Sequence, residues 1–460
     1  MAGKRILFKG AHLVTMDDTL GDFEVGDVLI EGREIAAVAA QIDEPVDEVV
    51  DATDQIIIPG LIDTHIHMWE MPLRGMSHTI NHPVQYFSYV YPRRGVFEAE
   101  DVYVGVYACG LELISNGTTT VLDFCHCVNT RPHAEQAVKG LRDSGIRGVH
   151  GHSIGVRSPL VEFASDDQRF ADAERVREEV VQDDGDGLLS MMIGLSERQH
   201  GADMELFKRE IDFARHHNMR MTLHSLQELH VTALHQAGLL GSDMLPVHCT
   251  QASREELDIM AKFEVPISFA VACGFKREAS TMIRWAAERG VQLTWSCDVA
   301  TLHDPNLFAQ MKLVYDMEQH YDAIEDRMNA MTPRSTPTLS ARDVLRGGTI
   351  GAAKAIGMEH RIGSITPGKQ ADLVIMDLPL AGPSLGDVCN HILLQSGARD
   401  VNSVLIAGEF RKRDGEMLNI DRARVRRMVA EVRERVLARP FTPKAEWPFP
   451  PHNWSTVVNR

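Results

Sequence analysis

Residues 56–67 read Ile56-Ile57-Ile58-Pro59-Gly60-Leu61-Ile62-Asp63-Thr64-His65-Ile66-His67, a buried apolar run that ends in two histidines one residue apart. On a strand, residues i and i+2 point to the same face. His65 and His67 therefore present two imidazoles side by side at the end of a strand, a grip suited to a single metal ion. From residue 61 onward, short apolar or β-branched runs alternate with longer helical stretches. Strands are expected at 61–67, 119–124, 146–152, 188–194, 219–224, 244–249, 265–270 and 291–297. Helical stretches at 99–116, 132–144, 167–182, 203–217, 253–263 and 276–289 fall between them. Eight strand–helix units in a row predict an α/β fold, a (β/α)8 TIM barrel.

The two flanks read differently. Residues 1–58 hold short strands at 5–9, 28–30 and 34–39. After Gly363 a turn leads into another buried strand, and 401–407 with 410–413 resembles a hairpin. The flanks, 1–58 and 363–418, are expected to pair into one small β-sandwich domain bracketing a catalytic barrel over 59–362. Residues 419–460 form a charged amphipathic helix at 421–437 and a Pro- and aromatic-rich tail, an interface arm or a strap over the barrel.

A chain of 460 residues is too long for one ordinary core, which agrees with this division. With 44% apolar and 24% charged residues it has the composition of a soluble globular protein. The formal charge of -18, from 47 basic and 65 acidic residues, argues against nucleic-acid binding. Neither an apolar leader nor a membrane-length apolar run occurs in the sequence. Seven scattered cysteines suit a reducing compartment better than a disulfide framework. The expectation is a cytoplasmic protein that handles a small molecule.

Barrel enzymes place their chemistry at the C-terminal ends of the strands. His65 and His67 end the first strand, His224 the fifth and His248 the sixth, and Asp298 follows the eighth. Three or four neutral imidazoles and a carboxylate suit one divalent ion, zinc first and iron, cobalt or manganese as alternatives, with a position left for water. Such an ion brings the pKa of its water to about 7. Asp298 is placed to take that water's proton. The long loop after the first strand carries Trp69, Met71, Met76, Tyr86, Phe87 and Tyr89, an apolar and adaptable wall. His126 after the second strand and His303 after Asp298 are candidate substrate contacts.

The run Pro59-Gly60-Leu61-Ile62-Asp63-Thr64-His65-Ile66-His67, with His224, His248, Asp298 and the closing Gly368-Lys369-Gln370-Ala371-Asp372-Leu373-Val374, resembles the amidohydrolase superfamily. Its nearest branch holds triazine chlorohydrolases, cytosine and S-adenosylhomocysteine deaminases, and phenylurea and molinate hydrolases. The resemblance runs from about residue 5 to 418. It implies a hydrolase with one catalytic metal on His65, His67, His224 and Asp298, and with His248 as metal ligand or as a hydrogen-bond partner of substrate or water. It also implies a homodimer or homotetramer. The fourth strand ends in Met191-Met192-Ile193-Gly194, with no lysine to bridge a second metal.

The pattern departs in one place that matters. Deaminases of this branch carry His-x-x-Glu after the fifth strand, whereas this chain has His224-Ser225-Leu226-Gln227. An amide orients a substrate but is no general acid. Glu228 stands one residue late, about 100° round a helix start. Gln251 likewise replaces a second histidine, and Val271-Ala272-Cys273-Gly274 replaces His-Cys-Pro. Proton shuttling contributes about 10²–10⁴-fold. Its loss favours cleavage of an amide, urea or (thio)carbamate bond, with Gln227 as a substrate contact. Deamination of an aminopyrimidine, purine or triazine is the alternative, as is dechlorination, where the leaving chloride needs no proton. A non-catalytic barrel scaffold is the other class, and the complete ligand set opposes it.

Overall fold

The computed structural model describes residues 3–77, 86–154, 163–181, 187–196, 204–225, 230–277, 282–329, 334–380, 382 and 386–440. Five strands open the chain: β1 (Arg5–Leu13), β2 (Phe23–Glu31), β3 (Glu34–Ala39), β4 (Glu48–Asp51) and β5 (Gln55–Pro59). The barrel strands follow as β6 (Leu61–Ile66), β7 (Thr118–Cys125), β8 (Arg147–Ser153), β9 (Leu189–Gly194), β10 (Met221–Ser225), β11 (Met244–His248), β12 (Ile267–Ala270) and β13 (Leu293–Ser296). Four more close the chain's second flank: β14 (Leu373–Asp377), β15 (Val401–Ile406), β16 (Glu409–Arg413) and β17 (Glu416–Met417).

Strands β6 to β13 pair in sequence order, all parallel. A parallel bridge from Ile66 to Asp298 closes the ring. The Asp298 N–H donates to the His65 carbonyl at 3.0 Å, and the His67 N–H donates to the Asp298 carbonyl at 2.8 Å. The backbone that completes the barrel is therefore the backbone that carries the candidate ligands. Chain entry into β6 depends on Gly60, where an added Cβ would lie 2.1 Å from the Thr119 hydroxyl oxygen.

Inside the barrel the layers are filled. At one end Ile62, Leu122, Val149, Met192 and Leu245 pack against Ala352, Ala353, Ala355 and Ile356, so that helix Ile350–Ala355 stoppers the bottom. Above them lies a buried hydroxyl layer. The Thr64 hydroxyl is 2.8 Å from that of Ser268 and 2.9 Å from that of Thr294, which in turn donates to the Ile267 carbonyl. Buried hydroxyls are retained where each finds a partner, and here each does.

The flanking strands join as one nine-stranded sheet, in which β5 pairs with β1 on one side and with β14 on the other. Its own core includes Ile6, Phe8, Val28, Ile30, Ile57, Leu373 and Leu405. β15 and β16 form the expected antiparallel hairpin. A buried ion pair fixes this sheet to the barrel. Arg147 at the start of β8 donates from Nε and Nη2 to the two Asp372 oxygens, each at 2.8 Å, and Asp372 also accepts the Ala407 N–H.

Two features differ from the sequence reading. Where helix was expected from 276 to 289, it starts already at Val271, directly at the end of β12, and the described residues are helical at Val271–Arg277 and Met282–Glu288. The loop after β6 begins with a tight 3-10 turn, Met68–Leu73. The C-terminal helix, Arg422–Ala438, buries Val432 and Val436. Arg433 donates to the Pro72 carbonyl at 2.7 Å, and Arg435 donates to buried Asp101 at 2.8 Å. The tail beyond residue 440 lies outside the described residues.

Candidate metal centre

Four strand ends bring five donor groups to one place. His65 ends β6 with His67 one residue beyond it, His224 lies in β10, His248 is the last residue of β11, and Asp298 follows β13. All five are buried, the most exposed at 8%. His65, His67 and His224 each offer a ring nitrogen within 4.8 Å of the others, and so do His65, His248 and Asp298 with the Asp298 carboxylate included. Asp298 Oδ1 lies 3.3 Å from His65 Nε2 and 3.7 Å from His67 Nε2. His224 Nε2 lies 3.3 Å from His67 Nε2. The backbone is left-handed at His248 (φ 70), Cys249 (φ 51) and Asp298 (φ 61). Such conformations cost of order 1–3 kcal/mol each and persist where the surroundings over-determine them. Here the Ser225 carbonyl holds Cys249 N–H and the His65 carbonyl holds Asp298 N–H.

These residues fit a divalent ion. The His67 Nδ1–H donates to the Phe124 carbonyl at 2.8 Å, which leaves the Nε2 lone pair facing the other donors. Burial, followed by the neighbouring His65 and His224 rings, holds His67 well below the usual histidine range, so it is neutral and able to ligate. Burial alone would raise the Asp298 carboxyl. His248, with a hydrogen bond from His65, outweighs it and holds that carboxyl well below its ordinary range. A neutral nitrogen set with one anionic oxygen is the donor chemistry of zinc and its neighbours.

Two further carboxyls pin the end of β6. Asp63 accepts the His65 and Cys297 N–H groups, and Asp123 accepts the Met68 N–H. Burial pushes each up to about 7.

The loop residues are arranged in a chain of contacts. His126 stacks on His67 with ring centroids 3.9 Å apart. The Trp69 indole N–H donates to His126 Nδ1 at 3.0 Å, and the Tyr86 hydroxyl lies 3.5 Å from His126 Nε2. Tyr86 donates to Glu70 Oε1 at 2.8 Å. Trp69 is fully buried and meets Phe97 edge-on, so it orients His126 from within the core. Met71, Tyr86 and Phe87 are buried as well, whereas Tyr89 is 46% exposed. His303 is half-buried, its N–H donating to the Val299 carbonyl at 3.5 Å. His150 and His152 face each other at 3.3 Å within β8. Gln227 and Glu228 lie outside the described residues. The sequence reading passed over Glu70, Asp63, Asp123 and the Phe124 carbonyl. The one available signal was Glu70 itself, the single charge in the run Met68–Leu73.

The sequence pattern of the amidohydrolase family matches residues 56–411. The 5'-deoxyadenosine deaminase of Methanosarcina barkeri is 26% identical over 452 residues, covering 94% of this chain and 99% of that protein. The 5-methylthioadenosine/S-adenosylhomocysteine deaminase of Thermococcus kodakarensis is 25% identical, covering 88% of this chain and 93% of its own. Among solved structures, an adenosine deaminase from Xanthomonas campestris with bound zinc superposes with a TM-score of 0.82 at 23% identity, covering 95% of this chain and 99% of that one. A mutant of atrazine chlorohydrolase from Arthrobacter aurescens, complexed with zinc and atraton, superposes with a TM-score of 0.79 at 20% identity, covering 93% and 100%. The fold is shared throughout, and the family pattern spans most of the chain. The chain belongs to the amidohydrolase family and is a hydrolase.

Proposed function

We propose that the protein is a metal-dependent hydrolase that cleaves a non-peptide carbon–nitrogen bond in a small molecule with an apolar or aromatic part. The observation that carries this reading is the convergence of His65, His67, His224, His248 and Asp298 at the mouth of the barrel. His65, His67, His224 and Asp298 would hold the ion, with zinc the first choice because a structural neighbour binds it. When bound, the ion supplies the Lewis acidity that makes water a nucleophile at neutral pH. Asp298, held ionised by its imidazole neighbours, accepts a proton from the attacking water. His248 shares the Asp298 side of the cluster and lies parallel to His224 at 5.5 Å between ring centroids, placed to stabilise charge as it develops. Met71, Tyr86 and Phe87, buried in the loop after β6, are assigned the apolar side of the substrate site.

Gln227 supports an amide-, urea- or carbamate-type bond, because its amide has no acidic proton to give. The full-length relatives named deaminases support a second reading, release of ammonia from an aminopurine-like ring. Product analysis separates them. A panel of anilides, ureas and carbamates beside aminopurines and adenosine derivatives is expected to yield an organic amine. Ammonia release from the purine arm alone would replace the first reading with the second. Catalysis is assigned to one chain, acting on small molecules in the cytoplasm, with assembly into a homodimer or homotetramer.

A further inference from the structure

Three arginines are buried among the described residues, and two of them meet acids. Arg147 donates to both Asp372 oxygens at 2.8 Å. Arg284 reaches Asp322 and Glu325, each at 2.6 Å, and Glu318 at 3.4 Å. Arg94 is the third, at 6% exposure, and no carboxylate pairs with it among the described residues. Its Nη1 is buried without a hydrogen-bond partner. The guanidinium carbon lies over the face of the Tyr91 ring, 3.9 Å from its centroid.

Arg94 stands on the face of the barrel where the strands end. It belongs to the turn Tyr91–Val96 in the loop that follows β6. Its carbonyl accepts an Asn129 Nδ2 hydrogen at 2.7 Å, in the loop that follows β7. Tyr91 meets His126 edge-on at 5.0 Å between ring centroids, and His126 stacks on His67 at 3.9 Å. A ladder of rings thus runs from the candidate metal centre to a cation. Tyr86 and Phe87, with ring centroids 6.1 and 5.9 Å from that of Tyr91, flank the ladder with apolar surface. Arg94 is no more sealed than the centre itself, since its 6% exposure equals that of the candidate ligand His224.

A guanidinium stays charged in proteins and offers five N–H donors in a fork that matches a carboxylate. Burying one without an anion is costly, because its hydration is lost and no opposite charge repays it. The face of a ring answers only part of that loss. A buried cation without a partner, one ring away from His126, is the pattern of a charge kept for a ligand. We propose that Arg94 anchors a carboxylate of the substrate, at the end of the molecule away from the scissile bond. This rests on the hydrolase reading above and narrows its substrate to an aryl- or alkyl-linked acid. The steps from His67 to His126, to Tyr91 and to the guanidinium are 3.9, 5.0 and 3.9 Å, a separation that a substituted aromatic ring or a short alkyl chain spans. Tyr91 is a positioning residue, holding the guanidinium plane against its ring. Arg94 gives and takes no proton, so its effect falls on binding rather than on the chemical step.

Benzoate and benzamide, alike in shape and different in charge, are the probes. Calorimetric titration of the metal-loaded, full-length protein reads their binding without turnover. Arg94→Met fills the space and removes the charge. Benzoate is expected to bind Arg94→Met about 10–100-fold more weakly than wild type, the worth of hydrogen bonds to a charged group, with benzamide unchanged. Arg94→Lys keeps a cation and is expected to lose less than Arg94→Met; a larger loss would count against the anchor. No benzoate binding in wild type, or equal affinity in wild type and Arg94→Met because the carboxylate sits on the metal, would overturn the proposal. So would an equal loss for benzamide, the mark of a structural role. A substrate arm separates a substrate carboxylate from a free inorganic anion. Amides ending in a carboxylate are expected to show a KM about 10–100-fold below that of their carboxamide twins, in wild type and not in Arg94→Met, with kcat alike. Equal KM values in wild type, with benzoate displaced by phosphate, would give the site to a free anion and overturn the substrate role. Wild type that binds benzoate through Arg94 but cleaves no amide contradicts the hydrolase reading alone.

Discussion

Asp298 carries three burdens at once. It closes the barrel through Ile66, sits at φ 61, and places Oδ1 within 3.3 Å of His65 Nε2. Its backbone role does not depend on its side-chain charge, so Asp298→Asn should fold and keep a bound metal while losing about 10²–10⁴ in kcat, the worth of a base in proton transfer. Metal analysis and steady-state kinetics on the same sample check this, and a near wild-type rate would remove Asp298 from the mechanism. His65 and His67 were legible in the sequence because spacing two on a strand forces a shared face. Glu70 was not, since one charge in an irregular turn has no periodicity to reveal its direction. Trp69 shows the same gap. The sequence placed it in the wall of the pocket, and the structure buries it with its indole N–H on His126. Which side of a loop residue faces inward is set by tertiary packing.

At the scale of elements, the barrel's eight strands were legible from alternating runs, but their ends were not. β12 and β13 are only four residues each, against the expected 265–270 and 291–297. Helix Val271–Arg277 begins as soon as β12 ends, and an apolar run gives no sign of where a ladder stops and a helix starts. The polar layer under the site was equally silent, because Thr64 is separated in sequence by 204 residues from Ser268 and by 230 from Thr294. Thr64 links both hydroxyls directly beneath His65. Thr64→Val keeps the shape and removes the link, which should cost about 1–3 kcal/mol for the partners left short. Chemical denaturation of the two proteins measures it, and an unchanged midpoint would show that the layer is slack.

At the scale of the molecule, the two flanks join because β5 is shared between early and late strands, and this pairing was legible from the return of short strands after Gly363. The clamp between sheet and barrel was not, since Arg147 and Asp372 are 225 residues apart. Both side chains are buried, at 1% and 2% exposure. Arg147→Met leaves Asp372 charged and unpaired in the interior, which should cost about 3–5 kcal/mol, read as a large drop in the unfolding midpoint. The account as a whole stands on a metal held by four residues at three strand ends. Its most direct test is the metal stoichiometry of the purified full-length protein after reconstitution with zinc, iron, cobalt or manganese. One tightly held ion per chain, lost in His67→Ala, is the predicted result. Persistent absence of any bound ion in the wild type would contradict it.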